Sequence, residues 1–297
     1  MTVVIAMPDN EGHAQALASR LGVAMIVPEL RAFPDGELYV RIEAELANHE
    51  VVLVGSLRGA GSRFLEVAFL AGTARDLGAR RVGLVAPYLA YMRQDSRFKP
   101  GEGVTSTYFG RLLSQTVDWL VTVDPHLHRL DSLDHVYSIP TTIARAAPAI
   151  ARFVAAEIER PVLVGPDAES VQWVSAVAAE CDAPYVILEK TRRGDRDVSI
   201  SSPERSNEYL VNGHTPVLID DIVSTGKTLV EATRQLRAAG AVAPLCIAIH
   251  AVFADAVHDE LLAAGARGII TCDTIPHATN SICVADAIAG AVRARLA

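Results

Sequence analysis

Two adjacent carboxylates, Asp220 and Asp221, close an apolar run and stand just before a turn of small residues. The segment reads Val217-Leu218-Ile219-Asp220-Asp221-Ile222-Val223-Ser224-Thr225-Gly226-Lys227-Thr228. A strand–loop–helix junction of this composition offers backbone N–H groups and hydroxyls to an anion at the positive end of the helix dipole. Adjacent Asp residues would repel that anion, so they need another task. Accepting hydrogen bonds from sugar hydroxyls, or holding a Mg²⁺ shell, suits them. The tail Gly226-Lys227-Thr228 resembles the end of a P-loop, but that motif requires Gly five residues before the Gly-Lys pair, where Asp221 stands. The missing glycine argues against a P-loop ATPase, and the plain alternative is an ordinary strand–turn–helix with a polar cap.

Four further segments place polar groups at the ends of apolar runs. Ala86-Pro87-Tyr88-Leu89-Ala90-Tyr91-Met92-Arg93-Gln94-Asp95 sets a cation, an amide and an acid at what would be the carboxyl edge of a sheet, where open α/β sheets bind ligands. Val121-Thr122-Val123-Asp124-Pro125-His126 ends on an imidazole suited to a metal or a polarising contact. Val164-Gly165-Pro166-Asp167 precedes a helical pattern, so Asp167 by itself reads as a helix cap. Finally Glu189-Lys190-Thr191-Arg192-Arg193-Gly194-Asp195-Arg196 is a basic loop in an acidic protein, which points to an anionic target. Nearer the N-terminus, Phe33-Pro34-Asp35-Gly36-Glu37 by itself reads as a Pro-Asp-Gly turn that starts a strand.

The run Asp220-Asp221-Ile222-Val223-Ser224-Thr225-Gly226 resembles the ribose 5-phosphate loop shared by type I phosphoribosyltransferases and ribose-phosphate pyrophosphokinases. The other segments, in their order and spacing, resemble the pyrophosphokinase. That resemblance implies two similar α/β, phosphoribosyltransferase-like (type I) domains, each a mainly parallel sheet flanked by helices, with the active site in the cleft between them. It implies transfer of the β,γ-diphosphoryl group of MgATP to the 1-hydroxyl of ribose 5-phosphate, with Mg²⁺ as cofactor. Lys190 and Arg192 match the family's catalytic loop. Arg93, Gln94, Asp95 and His126 take ATP, together with Phe33, Asp35 and Glu37 reaching in from a neighbouring subunit. Asp95 orients Arg93, and Asp124 positions His126. His126 and Asp167 take the metal. Asp220, Asp221, Ser224, Thr225, Gly226, Lys227 and Thr228 take ribose 5-phosphate. A homo-oligomer, dimer or hexamer, with an ATP site shared between chains follows from the same resemblance.

The chain departs from the family in places. Ser224 stands where many members carry a third Asp, and Lys227 where many carry Gly. The stretch Lys99 to Thr105 differs from the form typical of the phosphate-activated, ADP-inhibited class. Two rival readings have distinct signatures. A phosphoribosyltransferase shares the Asp220–Thr228 loop but has no need of Arg93-Gln94-Asp95. A non-catalytic regulatory homologue tends to lose catalytic loop residues, whereas Lys190, Arg192, His126 and Asp167 are all present.

The elements that position these residues follow from periodicity. Short β-branched runs alternate with longer Ala/Leu/Arg-rich stretches, the pattern of a parallel sheet covered by helices. Strands are expected at 3–6, 51–54, 82–86 and 119–123, then at 162–164, 185–188, 217–219, 246–249 and 268–271. Helices are expected at 63–77, 105–115, 170–181, 227–239 and 255–264. Pro140, Pro148 and Pro161 punctuate the middle of the chain, and the domains are drawn as 1–147 and 148–297.

Composition bounds the partners. A formal charge of −8 over 297 residues argues against nucleic acid, whose backbone is bound by net basic surfaces. The four cysteines are scattered with no CxxC pair, so neither a zinc site nor a disulfide framework is expected. The N-terminus lacks a basic segment followed by a cleavable apolar core. The longest apolar run, 241–254, is too short to span a bilayer. A cytoplasmic enzyme with no membrane partner is the expectation.

Overall fold

A computed structural model describes residues 1–127, 129–188 and 213–297. The chain divides into two units, Met1–Arg145 with Ala285–Ala297, and Ala146–Val284.

In the first unit, β1 (Thr2–Ala6), β2 (Ala24–Ile26), β5 (Glu50–Val54), β6 (Arg81–Ala86), β7 (Trp119–Val123) and β8 (Thr141–Ala144) form one sheet in the order β2-β1-β5-β6-β7-β8. Every neighbouring pair is parallel. The continuous apolar runs have their expected cause, because β5 and β7 are buried along their whole length. Helices α1 (Glu11–Leu21), α2 (Ala60–Asp76) and α3 (Thr105–Thr116) belong to this unit. So does a small antiparallel hairpin outside the sheet, β3 (Glu29–Ala32) with β4 (Leu38–Arg41). Trp119 is fully buried, and its indole N–H donates to Glu50 Oε1 at 3.0 Å. Gly83 on β6 faces this ring so closely that an added Cβ would lie 1.9 Å from Trp119 Cε2. Only glycine leaves room there.

The second unit repeats the pattern. Strands β9 (Pro161–Gly165), β10 (Tyr185–Ile187), β11 (Thr215–Val223), β12 (Leu245–Ala251), β13 (Gly268–Cys272) and β14 (Asn280–Ile282) run in the order β10-β9-β11-β12-β13-β14. All neighbours are again parallel. Its described helices are α4 (Ala147–Glu157), α5 (Val171–Cys181), α6 (Lys227–Ala238) and α7 (Ala256–Ala263). Counting only sheet strands within each unit, both sheets have the order second-first-third-fourth-fifth-sixth. In both, the third strand leads to a helix whose N-cap is a left-handed glycine, Gly59 before α2 and Gly226 before α6.

The C-terminal helix α8 (Ala285–Leu296) returns to the first unit. Arg20 pairs with Asp286 at 2.5 Å, and Arg295 donates to Thr142 Oγ1 at 2.8 Å. Thus one domain takes its last helix from the far end of the chain.

Candidate active site

In the second sheet the strand order reverses between β9 and β11, and ligands of open α/β sheets bind in the crevice beyond the carboxyl ends at such a point. Asp167 follows β9, and Asp220 and Asp221 lie on β11 itself. The sequence suggested a strand ending at Ile219. The ladder instead continues through both carboxylates, with Asp220 opposite Ala248 and Val223 opposite Ala251 of β12. Asp221 is buried, 3% exposed, and its Oδ1 accepts from the Ile222 N–H at 2.7 Å. Asp220 Oδ1 in turn accepts from the Asp221 N–H at 3.0 Å. Burial, then the charge of Asp221, then that of Asp167 push the Asp220 carboxyl well above the usual carboxylate range. The charges of Asp221 and Asp167 thus both reach Asp220, a repulsion that hydroxyl donors or a cation would relieve.

Asp167 also caps a 3-10 turn, accepting from the Glu169 N–H at 3.1 Å. The reading of Asp167 as a cap is borne out.

Beyond β11 the chain turns through Ser224 and Thr225 into α6. Gly226 has φ +69°, and an added Cβ would strike Val257 Cγ1 at 2.3 Å. Glycine is thus required both for its backbone conformation and for its packing. No side chain among the described residues caps the α6 N-terminus, and its first turn contains no acid. Its free N–H groups, with the Lys227 ammonium at the first position, concentrate positive charge. A cavity of about 430 Å³ opens beside them, lined by Pro166, Lys227, Thr228, Glu231, Arg234 and Glu260 among others.

In the first unit, β6 and β7 are neighbours in the sheet, which brings the segments after them together at its carboxyl edge. Arg93 is exposed and has no ion-pair partner among the described residues. Gln94 is held by Thr105, whose hydroxyl donates to its Oε1 at 3.0 Å. Asp95 was expected to orient Arg93, but its ion-pair partner is Arg129, at 3.0 Å. His126 follows β7 and is half-buried. Asp124, two residues earlier, has φ +29°, donates its N–H to Ala144 O at 3.1 Å and pairs with Arg145 at 2.9 Å. Arg129 and Arg145 were not singled out from the sequence, since partners so far along the chain leave no local mark.

Phe33, Asp35 and Glu37 sit at the turn of the β3–β4 hairpin. The Phe33 N–H donates to Glu37 O at 2.7 Å, and Asp35 Oδ1 accepts from the Glu37 N–H at 3.1 Å. Phe33 is 40% exposed, with the Arg31 guanidinium 4.8 Å from its ring centroid. Lys190 and Arg192 lie outside the described residues.

The profile described as the N-terminal domain of ribose phosphate pyrophosphokinase matches residues 2–116. That described as the phosphoribosyl transferase domain matches residues 132–286. A ribose-phosphate pyrophosphokinase of Methanopyrus kandleri is 34% identical over 98% of this chain and 98% of its own length. One of Sulfurisphaera tokodaii is 30% identical over 96% and 97%. The chain belongs to the ribose-phosphate pyrophosphokinase family. The phosphoribosylpyrophosphate synthetase of Mycobacterium smegmatis has the same fold, with a TM-score of 0.83 at 24% identity over 99% of this chain and 98% of its own. Membership in the pyrophosphokinase family explains why a transferase-like half is joined to a second unit of the same strand order. Single-domain transferase readings account only for 132–286.

No group of three or more His, Cys, Asp or Glu side chains is preassembled around a metal position among the described residues. No helix among the described residues is long and apolar enough to cross a membrane.

Proposed function

We propose that the chain transfers the β,γ-diphosphoryl group of MgATP to the 1-hydroxyl of D-ribose 5-phosphate, giving 5-phospho-α-D-ribose 1-diphosphate and AMP. The carrying observation is that Asp220 and Asp221 lie on β11, with Asp167 just after the neighbouring strand β9, and that β11 leads directly to the α6 N-terminus. This arrangement occurs in a chain aligned end to end with ribose-phosphate pyrophosphokinases.

The 5-phosphate lies on the N–H groups of Gly226, Lys227 and Thr228 and the hydroxyls of Ser224, Thr225 and Thr228. The helix dipole and the Lys227 charge favour it there. Asp220 and Asp221 accept hydrogen bonds from the ribose hydroxyls. Arg93, Gln94, Asp95 and His126 hold ATP. The hairpin of a neighbouring chain adds Phe33 against adenine, with Asp35 and Glu37 as polar contacts. His126 and Asp167 would help to hold Mg²⁺, which would supply neutralising charge for the ATP phosphates. The 1-hydroxyl attacks the β-phosphorus in line, and AMP leaves. Lys190 and Arg192 stabilise the charge spread over the transferring group, since positioning and electrostatics do most of the work in phosphoryl transfer.

A homo-oligomer is consistent with apolar side chains left in solvent on neighbouring helices. Leu65 and Phe69 of α2 are 46% and 44% exposed, and Tyr108 and Leu112 of α3 are 49% and 45%.

The test is AMP release from MgATP, measured with and without ribose 5-phosphate. Release that requires the sugar phosphate, and kcat lower by ~10²–10³ in Lys190→Ala or Arg192→Ala, is expected. Release that ignores the sugar phosphate contradicts the reaction, and an alanine variant with full kcat contradicts the role of that residue.

A further inference from the structure

Arg129 stands three residues beyond His126, and its Nη1 donates to Asp95 Oδ1 at 3.0 Å. Asp95 lies on the other segment of this edge, directly after Gln94. The Asp95 side chain is only 3% exposed, whereas that of Arg129 is 52% exposed. A carboxylate this deep, satisfied by a cation reaching in from the surface, is costly to leave unpaired. The Arg129 guanidinium also stacks 4.9 Å from the centroid of the Phe98 ring, so one side chain grips the segment at two points. That segment is internally tied as well. Thr105 holds Gln94, and Glu102 Oε2 accepts from the Phe98 and Lys99 N–H groups at 2.8 and 3.0 Å. Residues 94–105 therefore form a stiffened piece, and Arg129 joins it to the chain that carries His126.

We propose that Arg129 is a positioning residue for the ATP site, holding the Arg93-Gln94 turn in register with His126 through Asp95. The inference rests on the ATP reading of those residues given above. The effect of Arg129 is to fix where two binding segments stand relative to each other before ATP arrives, and misplacement of this kind weakens function without removing any contact group. Lysine keeps the charge but loses the planar fork and the stacking surface, so it replaces Arg129 incompletely.

The test measures MgATP affinity by titration calorimetry without ribose 5-phosphate, together with KM, kcat and melting temperature. Arg129→Ala is expected to weaken MgATP binding and raise the KM for ATP by ~10-fold, the loss typical when a supporting partner of a ligand-binding group is removed. The KM for ribose 5-phosphate and kcat stay unchanged, the pattern of lost ground-state binding. Arg129→Lys recovers part of the affinity, and Arg129→Ala adds nothing in an Asp95→Ala background. Wild-type MgATP affinity in Arg129→Ala would overturn the proposal. So would an equal loss in both backgrounds, or a parallel rise in both KM values with a fallen melting temperature. Failure of the wild-type protein itself to bind MgATP would overturn the ATP reading, and this inference with it.

Discussion

At the scale of single residues, both acids of β11 accept a neighbouring backbone N–H, and Asp220 also carries an electrostatic cost. Its carboxyl is raised first by burial, then by Asp221 and Asp167. A group whose pKa is higher folded than unfolded binds more protons in the folded state, so its contribution to stability falls as pH rises from the ordinary carboxylate range through the raised value. Asp220→Asn removes that loss. The variant is expected to melt above the wild type at pH 8, and the gap should close on acidification toward pH 4, as scanning calorimetry can measure. A constant gap across that range would contradict the account. The sequence shows the Asp220-Asp221 pair plainly, but not that Asp167, over fifty residues earlier, shares its crevice. That follows from β9 and β11 lying side by side. Likewise Asp95 stood out in the sequence, while its partner Arg129 did not.

At the scale of elements, what was legible follows from how each segment is buried. Strands covered on both faces are continuous apolar runs, so β1, β5, β6, β7, β9, β11, β12 and β13 stand out in the sequence. The edge strands β8 (TTIA) and β14 (NSI) are short and polar or mixed, and they carry no such signal. Helix α1 contains Gly12, His13 and Ser19, which blur its periodicity, and α8 is an alanine-rich stretch whose docking site lies on the other half of the sequence. Close packing joins β6 to β7 at Gly83 and Trp119. A methyl at Gly83 would sit inside the Trp119 ring, and the backbone there is central in the sheet. Overpacking of this kind costs about 1–3 kcal/mol, occasionally more. Gly83→Ala is therefore expected to lower the urea midpoint substantially, and pairing it with Trp119→Phe should restore part of the loss. A Gly83→Ala protein as stable as the wild type would refute the packing argument.

At the scale of the whole molecule, the same strand order occurs twice, yet the two units carry different side chains at their carboxyl edges. The second has the carboxylate crevice and the open helix N-terminus. The first has an exposed cation, Arg93, beside the His126 segment. The hairpin with Phe33, Asp35 and Glu37 stands outside the first sheet, which suits a reach toward a neighbouring chain. If ATP is shared between chains, a Phe33→Ala protein and an Arg93→Ala protein, each weak alone, should regain activity when mixed, because some sites in the mixed oligomer are intact on both sides. No recovery after co-refolding would show that each chain builds its site alone. The reaction is open to a more direct observation, by phosphorus NMR of the protein with MgATP and ribose 5-phosphate. The account predicts AMP and 5-phospho-α-D-ribose 1-diphosphate in equal amounts, with the ATP β-phosphorus recovered in the new diphosphate. ATP left intact under conditions where a known synthetase turns over, or the β-phosphorus retained on adenosine, would contradict it.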